Sequence, residues 1–247
     1  MYLLGVDVGS SSVKAAVMKG ENGEILGSSF FPKHEMRINS LQSGWAEQDP
    51  SEWWKNLKLA ILDAISSSKI SGKEIEAIGI SYQMHGLILL DKDRRILRPT
   101  IIWCDRRATE IGRKAFHEIG EKKCMESLLN SPGNFTASKL KWVKDNEPEI
   151  YEKIHKVMVP GDYITMLLTG QISTTISGLS EGILWDFRNN KLSDLVMNYY
   201  GFSKDMLPEL TGAFGIQGEV TKQVADELGL KPGVPVTYRA GDQPNNA

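Results

Sequence analysis

The apolar run Tyr2–Val8 is broken by Gly9-Ser10-Ser11-Ser12 and resumes over Val13–Met18 before Gly20. Two short apolar runs around a Gly/Ser turn predict a β-hairpin. An Asn22-Gly23 turn signal precedes a third run, Ile25–Phe31, so the chain is expected to open with three consecutive antiparallel strands. A helix follows with a clear start: Asp49 as N-cap, Pro50 at the first helical position and Glu52 at the third. Trp53, Trp54, Leu57, Ala60, Ile61, Ala64 and Ile65 then recur at spacings of three and four, which turns one face of that helix toward a core. Ile75–Ser81 reads as a short strand with Gly79 inside it. It runs into Tyr82-Gln83-Met84-His85-Gly86, a polar exit suited to a sheet edge or a cleft.

The middle of the chain changes character. From Arg106 to Gly170, charged amphipathic stretches predict helices over Ala137–Asn146, from near Pro148, and over Gly161–Thr169, the last stopped by Gly170. Pro132-Gly133-Asn134 and Gly201 mark loops. Near the end, Glu219–Leu228 reads as a helix with Val220, Val224, Ala225 and Leu228 on one side and Gly229 at its stop. The turn Lys231-Pro232-Gly233 leads into a strand over Val234–Ala240, which delivers Gly241-Asp242-Gln243 at its carboxyl end, with a loop after it. Three strands, a helix, a strand, a helical insertion, a helix and a strand make an α/β domain. Its core is expected over 1–86 and 219–247, with the insertion over 87–218.

Composition narrows the class of protein. With 247 residues, 41% hydrophobic and 24% charged, the chain is an ordinary globular one, neither disordered nor collagen-like. Its 29 basic and 31 acidic residues leave a net charge of −2 and a pI near 6.1, so no overall positive field draws in nucleic acid or an anionic membrane. Apolar stretches such as Ile78–Ile80 and Leu87–Leu90 fall far short of the ~20 residues of a membrane-spanning helix, and the first residues lack a basic leader. A cytoplasmic location is expected. Cys104 and Cys124 have no CxxC spacing and are expected to be free thiols. His34, His117 and His155 have no neighbours at metal-ligand spacing. Trp53, Trp54 and Trp142 read as packing residues, and Glu121-Lys122-Lys123 and Lys139-Lys141-Lys144 as solvated helix faces.

Four places could carry chemistry. Asp7 with Gly9, Ser10, Ser11, Ser12 and Lys14 puts a strand-end carboxylate, backbone N–H groups, three hydroxyls and an ammonium around a point where a phosphate chain could lie. The carboxylate is placed to hold hydrated Mg²⁺. The run is neither a Walker P-loop nor a GxGxxG fingerprint, and a plain hairpin with a polar turn has the same local pattern. Asp242 beside Gly241 sits where α/β sheets bind ligands and could accept a proton during phosphoryl transfer; an Asx-turn or helix N-cap uses Asp in the same way. Gln83 and His85 could hydrogen-bond sugar hydroxyls with Met84 as an apolar wall, or His85 could be a satisfied structural residue. Trp103, Asp105 and Arg106 suit carbohydrate contacts, or a buried Trp beside a surface ion pair.

Taken in chain order, these residues resemble a known family. Leu4-Gly5-Val6-Asp7-Val8-Gly9-Ser10-Ser11-Ser12-Val13-Lys14 is similar to the first phosphate loop of the FGGY carbohydrate kinases, within the actin/Hsp70/hexokinase superfamily. Phe135–Lys144 resembles that family's first signature. Trp45–Pro50, Trp53-Trp54, Gln83–Gly86, Ile102–Asp105 and Val159–Tyr163 are typical of it as well, so the likeness covers nearly the whole chain and is nearest to the xylulokinases. The resemblance implies a ribonuclease-H-like (actin-like ATPase) α/β domain with a mixed sheet and a mainly helical insertion. It implies ATP and Mg²⁺ as cofactors and a small-molecule sugar as partner, and leaves a homodimer open. It makes Asp242 the catalytic base, Asp7 the metal-associated carboxylate that supports activity, and Gly9, Ser10, Ser11, Ser12 and Lys14 the phosphate-loop positions. Met84 and His85 match the pair that contacts a ketose, where glycerol kinases carry Arg-Glu.

The activity so implied is ATP-dependent phosphorylation of a ketose, D-xylulose to D-xylulose 5-phosphate. The rivals are another kinase of the family acting on a different ketose, polyol or aldonate, and a non-enzymatic actin-like ATP switch. Two departures stand out: Asn134 where the signature often has Gly or another permitted residue, and Gly241-Asp242-Gln243-Pro244 in place of a GDNAA-type run. The family's second domain, which carries the adenosine pocket, has no counterpart in these residues. The chain is therefore expected to be an N-terminal sugar-binding domain, inactive alone.

Overall fold

Alternation of burial along the first strands sets the sheet. The computed structural model describes residues 1–246. Strand β1 (Tyr2–Val8) turns back through Gly9–Ser12 into β2 (Val13–Lys19), and β3 (Ile25–Phe31) follows, each antiparallel to its predecessor. Leu4, Val6 and Val8 share the buried face with Val13, Ala15 and Val17. Helix α1 (Pro50–Ser68) covers that face; the Asp49 side chain accepts from Ser51 N at 2.9 Å and Pro50 opens the first turn. Trp53, Leu57 and Ile61 are fully buried, and at about 1.5–3 kcal/mol for each such side chain, packing outweighs the modest helix propensity of Trp and Ile. Gly27 on β3 lets the helix approach: a Cβ there would stand 2.5 Å from Ala64 O.

Beyond α1, β4 (Ile75–Tyr82) pairs parallel to β1, and β5 (Val236–Gly241) pairs parallel to β4. The sheet is mixed, with order β5-β4-β1-β2-β3. Because β1, β4 and β5 run the same way, their carboxyl ends emerge along one edge. The opposite sheet face carries Gly5, Asp7, Lys14, Ala16, Ser28, Gly79 and Ser81 along an open trough of about 690 Å³.

Residues between β4 and β5 form, among other helices such as Thr109–Ile119, α2 (Thr136–Asn146), α3 (Pro160–Thr169), α4 (Ile176–Glu181) and α5 (Lys222–Leu228). A second apolar cluster built on Leu87, Leu89, Leu140, Val143, Val157 and Trp185 packs most of this stretch. Helix α3 differs, since Ile164 and Leu168 join the core of the sheet. Arg239 of β5 and Asp162 of α3 form a buried pair at 3.1 Å. Burial raises the Asp162 carboxyl above its ordinary range against the pull of Arg239.

Three expectations shift. The helix read as Glu219–Leu228 starts at Lys222, because Thr221 caps it and Glu219 bridges to Pro235 instead. The strand read as Val234–Ala240 runs Val236–Gly241. Where a loop was expected after it, Asp242–Asn246 forms a short helix, α6; Ala247 lies outside the described residues. Among the described residues the middle stretch also holds three two-stranded ladders, such as Ile88–Leu90 with Lys156–Met158, and a fourth joins its Thr100–Ile101 to Glu47–Gln48 ahead of α1. Among the described residues, no helix is long and apolar enough to cross a membrane.

Candidate active site

The sheet edge where β1, β4 and β5 end opens into a cleft of about 580 Å³. Asp7 reaches it from β1, Ser81 and Gln83 from β4, and Asp242 from β5, while Gly9–Ser12, Lys14 and Trp103 close its sides. The backbones of β1 and β5 are separated by one intervening strand, about 10 Å in all, which leaves room between Asp7 and Asp242 for a phosphoryl group. The trough on the sheet face is larger and shares Asp7, Lys14, Ser81 and Asn245 with the cleft. It also carries Lys33 and Asp63 but neither Asp242 nor the Gly9–Ser12 turn, so the chemistry points to the cleft.

The Gly9–Ser12 hairpin is held from several sides. Gly9 N donates to Ser12 O at 3.1 Å, and a Cβ on Gly9 would stand 2.9 Å from that oxygen. Gln48 Nε2 donates to Ser10 O at 2.7 Å, Met36 N to Ser11 O at 2.8 Å, and Trp103 Nε1 to Ser10 Oγ at 3.3 Å. Asp7 stands opposite Lys14 in the β1–β2 register and accepts from its Nζ at 3.0 Å. The Asp7 side chain is 33% exposed, open to a ligand in the cleft. Asp242 begins α6, and its Oδ1 accepts from Gln243 N at 2.9 Å. Asp242 thus shapes the helix start and also lines the cleft.

Gln83, Met84 and His85 separate into different settings. Gln83 lines the cleft but is largely buried, its Nε2 donating to Gln48 Oε1 at 3.4 Å and its own Oε1 unpartnered. Met84 and His85 are half-buried and stand outside the residues that line the cleft between Asp7 and Asp242. Met84 packs over Gly241, where a Cβ would come within 2.3 Å of its Cγ. His85 takes a left-handed backbone, φ +62°, and its ring meets Phe135 edge-on at 4.5 Å. Nδ1 lies 2.9 Å from Glu181 O. A carbonyl only accepts, so the proton sits on Nδ1 and Nε2 keeps its lone pair. Burial, and secondarily Lys139, lower the imidazole pKa, so the ring is neutral at pH 7.

Trp103 and Asp105 part company. Trp103 is 53% exposed at the cleft rim rather than buried. Asp105, expected to face a sugar, is fully buried. Its oxygens accept from Ala46 N at 2.6 Å and from Arg107, whose Nη2 is 2.7 Å away, and not from Arg106. The Arg107 guanidinium stacks 3.8 Å from the Trp45 ring and 4.7 Å from the Trp142 ring. Asp105 therefore braces the loop behind Trp103 instead of meeting solvent.

Two buried groups escaped the sequence reading. Lys139, expected on a solvated face, is fully buried, and its Nζ donates to His85 O at 2.8 Å and Ile102 O at 3.0 Å. Glu181 carries no motif; it lies buried beside Met84 and Gly241 with Oε1 unpartnered. Burial, reinforced by Asp162 and Asp242, pushes its carboxyl well above the usual range.

The model of the FGGY family of carbohydrate kinases, N-terminal domain, matches residues 2–247. The chain belongs to that family. The xylulose kinase of Escherichia coli K12 is 33% identical over 243 residues, 98% of this chain and 48% of the relative. The L-xylulose/3-keto-L-gulonate kinase of the same organism is 36% identical over 239 residues, 95% of this chain and 47% of the relative. A solved structure of a xyloylose kinase from Brucella ovis superposes with a TM-score of 0.88 at 31% identity, covering 98% of this chain and 49% of that one. The chain thus spans about half the length of the curated relatives it matches, and it shares their actin-like ATPase fold.

Proposed function

We propose that this chain is the sugar-binding part of an ATP-dependent ketose kinase that converts D-xylulose to D-xylulose 5-phosphate. The observation that carries the reading is the facing of Asp242 and the Asp7–Lys14 hairpin across one polar cleft. In the reaction, Asp242 accepts the proton of the attacking sugar hydroxyl. Its carboxylate has no cationic partner within salt-bridge distance among the described residues, which leaves it free to take that proton. Hydroxyls and backbone N–H groups of Ser10, Ser11 and Ser12 meet the phosphate oxygens of ATP, and Lys14 offsets their charge. The hairpin's tethers to Gln48 and Met36 hold these donors in place before the nucleotide arrives.

Among the described residues no three His, Cys, Asp or Glu side chains gather as a metal cage. One half-open carboxylate, Asp7, fits a Mg²⁺ that keeps most of its waters and shares phosphate oxygens. Bound there, the ion would neutralise charge on the phosphates.

For the sugar, neutral His85 offers Nε2 as an acceptor to a hydroxyl, Met84 an adaptable apolar wall, and Trp103 an exposed aromatic face. The names of the relatives, xylulose and L-xylulose/3-keto-L-gulonate kinases, support a ketose. Core residues 1–86 and 219–247 would supply the phosphate and catalytic groups together with Met84 and His85, and 87–218 the Trp103 side of the sugar site. Calorimetric titration of the chain with D-xylulose, L-xylulose, glycerol and gluconate tests the reading. Heat from a ketopentose is expected; binding of glycerol or gluconate with none to either xylulose overturns it.

A further inference from the structure

Among the described residues Lys139 is the only fully buried lysine, and its position has a cost that its contacts do not recover as an ion pair. The acid whose charge acts on it most strongly, Asp105, is already engaged by Arg107 and Ala46 N. The ammonium goes instead to two backbone carbonyls, His85 O at 2.8 Å and Ile102 O at 3.0 Å. Burial brings its pKa down to about 8. An apolar side chain of the same length would fill this space without the desolvation penalty. The exit of β4 and the loop that presents Trp103 already meet at one backbone bond, Leu87 N to Ile101 O at 3.0 Å, and the ammonium extends that junction outward to the carbonyls of His85 and Ile102, next to Met84 and Trp103. A second observation agrees. His85 holds a left-handed backbone, φ +62°, that a non-glycine residue keeps only when its surroundings over-determine it.

We propose that Lys139 is a positioning residue for sugar recognition: by holding the carbonyls of His85 and Ile102 on one ammonium, it presets the distance between the His85 and Trp103 segments, which together meet the ketose. The link to sugar rests on the function proposed above, whereas the link between the loops does not. Lys139 touches no substrate in this account. It acts through the two loops it ties, and it lowers the ordering that sugar binding would otherwise require.

The test uses Lys139→Met, which keeps length and loses both donors, and Lys139→Gln, which keeps one shorter donor. Each is made in the 247-residue chain labelled with 5-fluorotryptophan, the Trp103 resonance being assigned through Trp103→Phe. In the free Lys139→Met protein the Trp103 resonance is expected to shift or broaden. Its Kd for D-xylulose is expected to rise roughly tenfold, the scale of one lost charge-assisted hydrogen bond, with Lys139→Gln between it and the parent. A folded variant with an unmoved Trp103 resonance and a Kd within twofold of the parent overturns the proposal. So does loss of the cooperative melting transition in both variants, which would make Lys139 a folding residue. If the parent chain binds no ketose, the sugar reading fails separately, and the Trp103 resonance still decides whether Lys139 ties the loops.

Discussion

Replacing His85 by alanine removes two interactions whose sizes follow from the structure. The Nδ1–H bond to Glu181 O, at 2.9 Å, disappears and leaves a carbonyl facing the space the ring vacates. The edge-on contact with Phe135, at 4.5 Å between centroids, goes with it. An unsatisfied buried acceptor costs ~1–3 kcal/mol and an aromatic pair contributes ~0.5–1.5 kcal/mol, so the loss of stability is about 2–4 kcal/mol near neutral pH. The loss depends on pH in a defined direction. Burial places the folded-state pKa of His85 below its ordinary value of 6.5, so as pH falls through 6.5 the unfolded chain takes up a proton before the folded one. The parent therefore loses His85-derived stability at acid pH, and the gap between parent and His85→Ala narrows there. Urea unfolding of both proteins at about pH 5 and about pH 7.5 measures it. A gap that widens on acidification, or one below about 0.5 kcal/mol at neutral pH, refutes the assignment of a neutral, Nδ1-protonated imidazole. On the sugar side, removing the Nε2 acceptor is expected to weaken D-xylulose binding roughly tenfold and leave Mg·ATP binding unchanged.

In a form of the protein that turns over sugar, Asp242→Asn is expected to lower kcat by ~10²–10⁴-fold with sugar KM little changed; a loss under tenfold in steady-state kinetics removes Asp242 as the base. Gly161→Ala would place a Cβ 2.2 Å from the Tyr82 ring in a packed core, and chemical denaturation should show a loss of about 1–3 kcal/mol. Asp162→Asn leaves the fully buried Arg239 guanidinium without its counter-charge, so it should cost about 3–5 kcal/mol, and pairing it with Arg239→Met should recover most of that in a double-mutant cycle.

The parts of the fold that were legible in the sequence are those decided within a few residues. β1 and β3 fall where expected because a stretch of seven residues bounded by turn signals has few other places to go. Helix α1 starts where Asp49 and Pro50 place it, since cap and ring act on the backbone beside them. The start of α5 was misplaced because Glu219 and Val220 fit the helical stripe, and only pairing with the turn before β5 draws them out of it: Glu219 bridges Pro235, and Val220 N donates to Val234 O. The candidate site divides along the same line. Asp7, the Gly9–Ser12 turn and Asp242 carry local signals, a carboxylate at a strand end or a glycine in a turn. Asp105 and Lys139 carry none that separates them from surface charges, because their environment comes from elsewhere in the chain. Lys139 is buried by carbonyls 54 and 37 residues away, and Asp105 by an amide 59 residues away. A lysine at helical spacing from Lys141 and Lys144 reads as solvated until those partners are known, since exposure of a long amphipathic side chain is set by what packs against its helix and not by its neighbours in sequence. That is why the Gly9–Ser12 turn and the carboxylates at its side could be read from sequence, while the surroundings of Asp105 and Lys139 needed the fold.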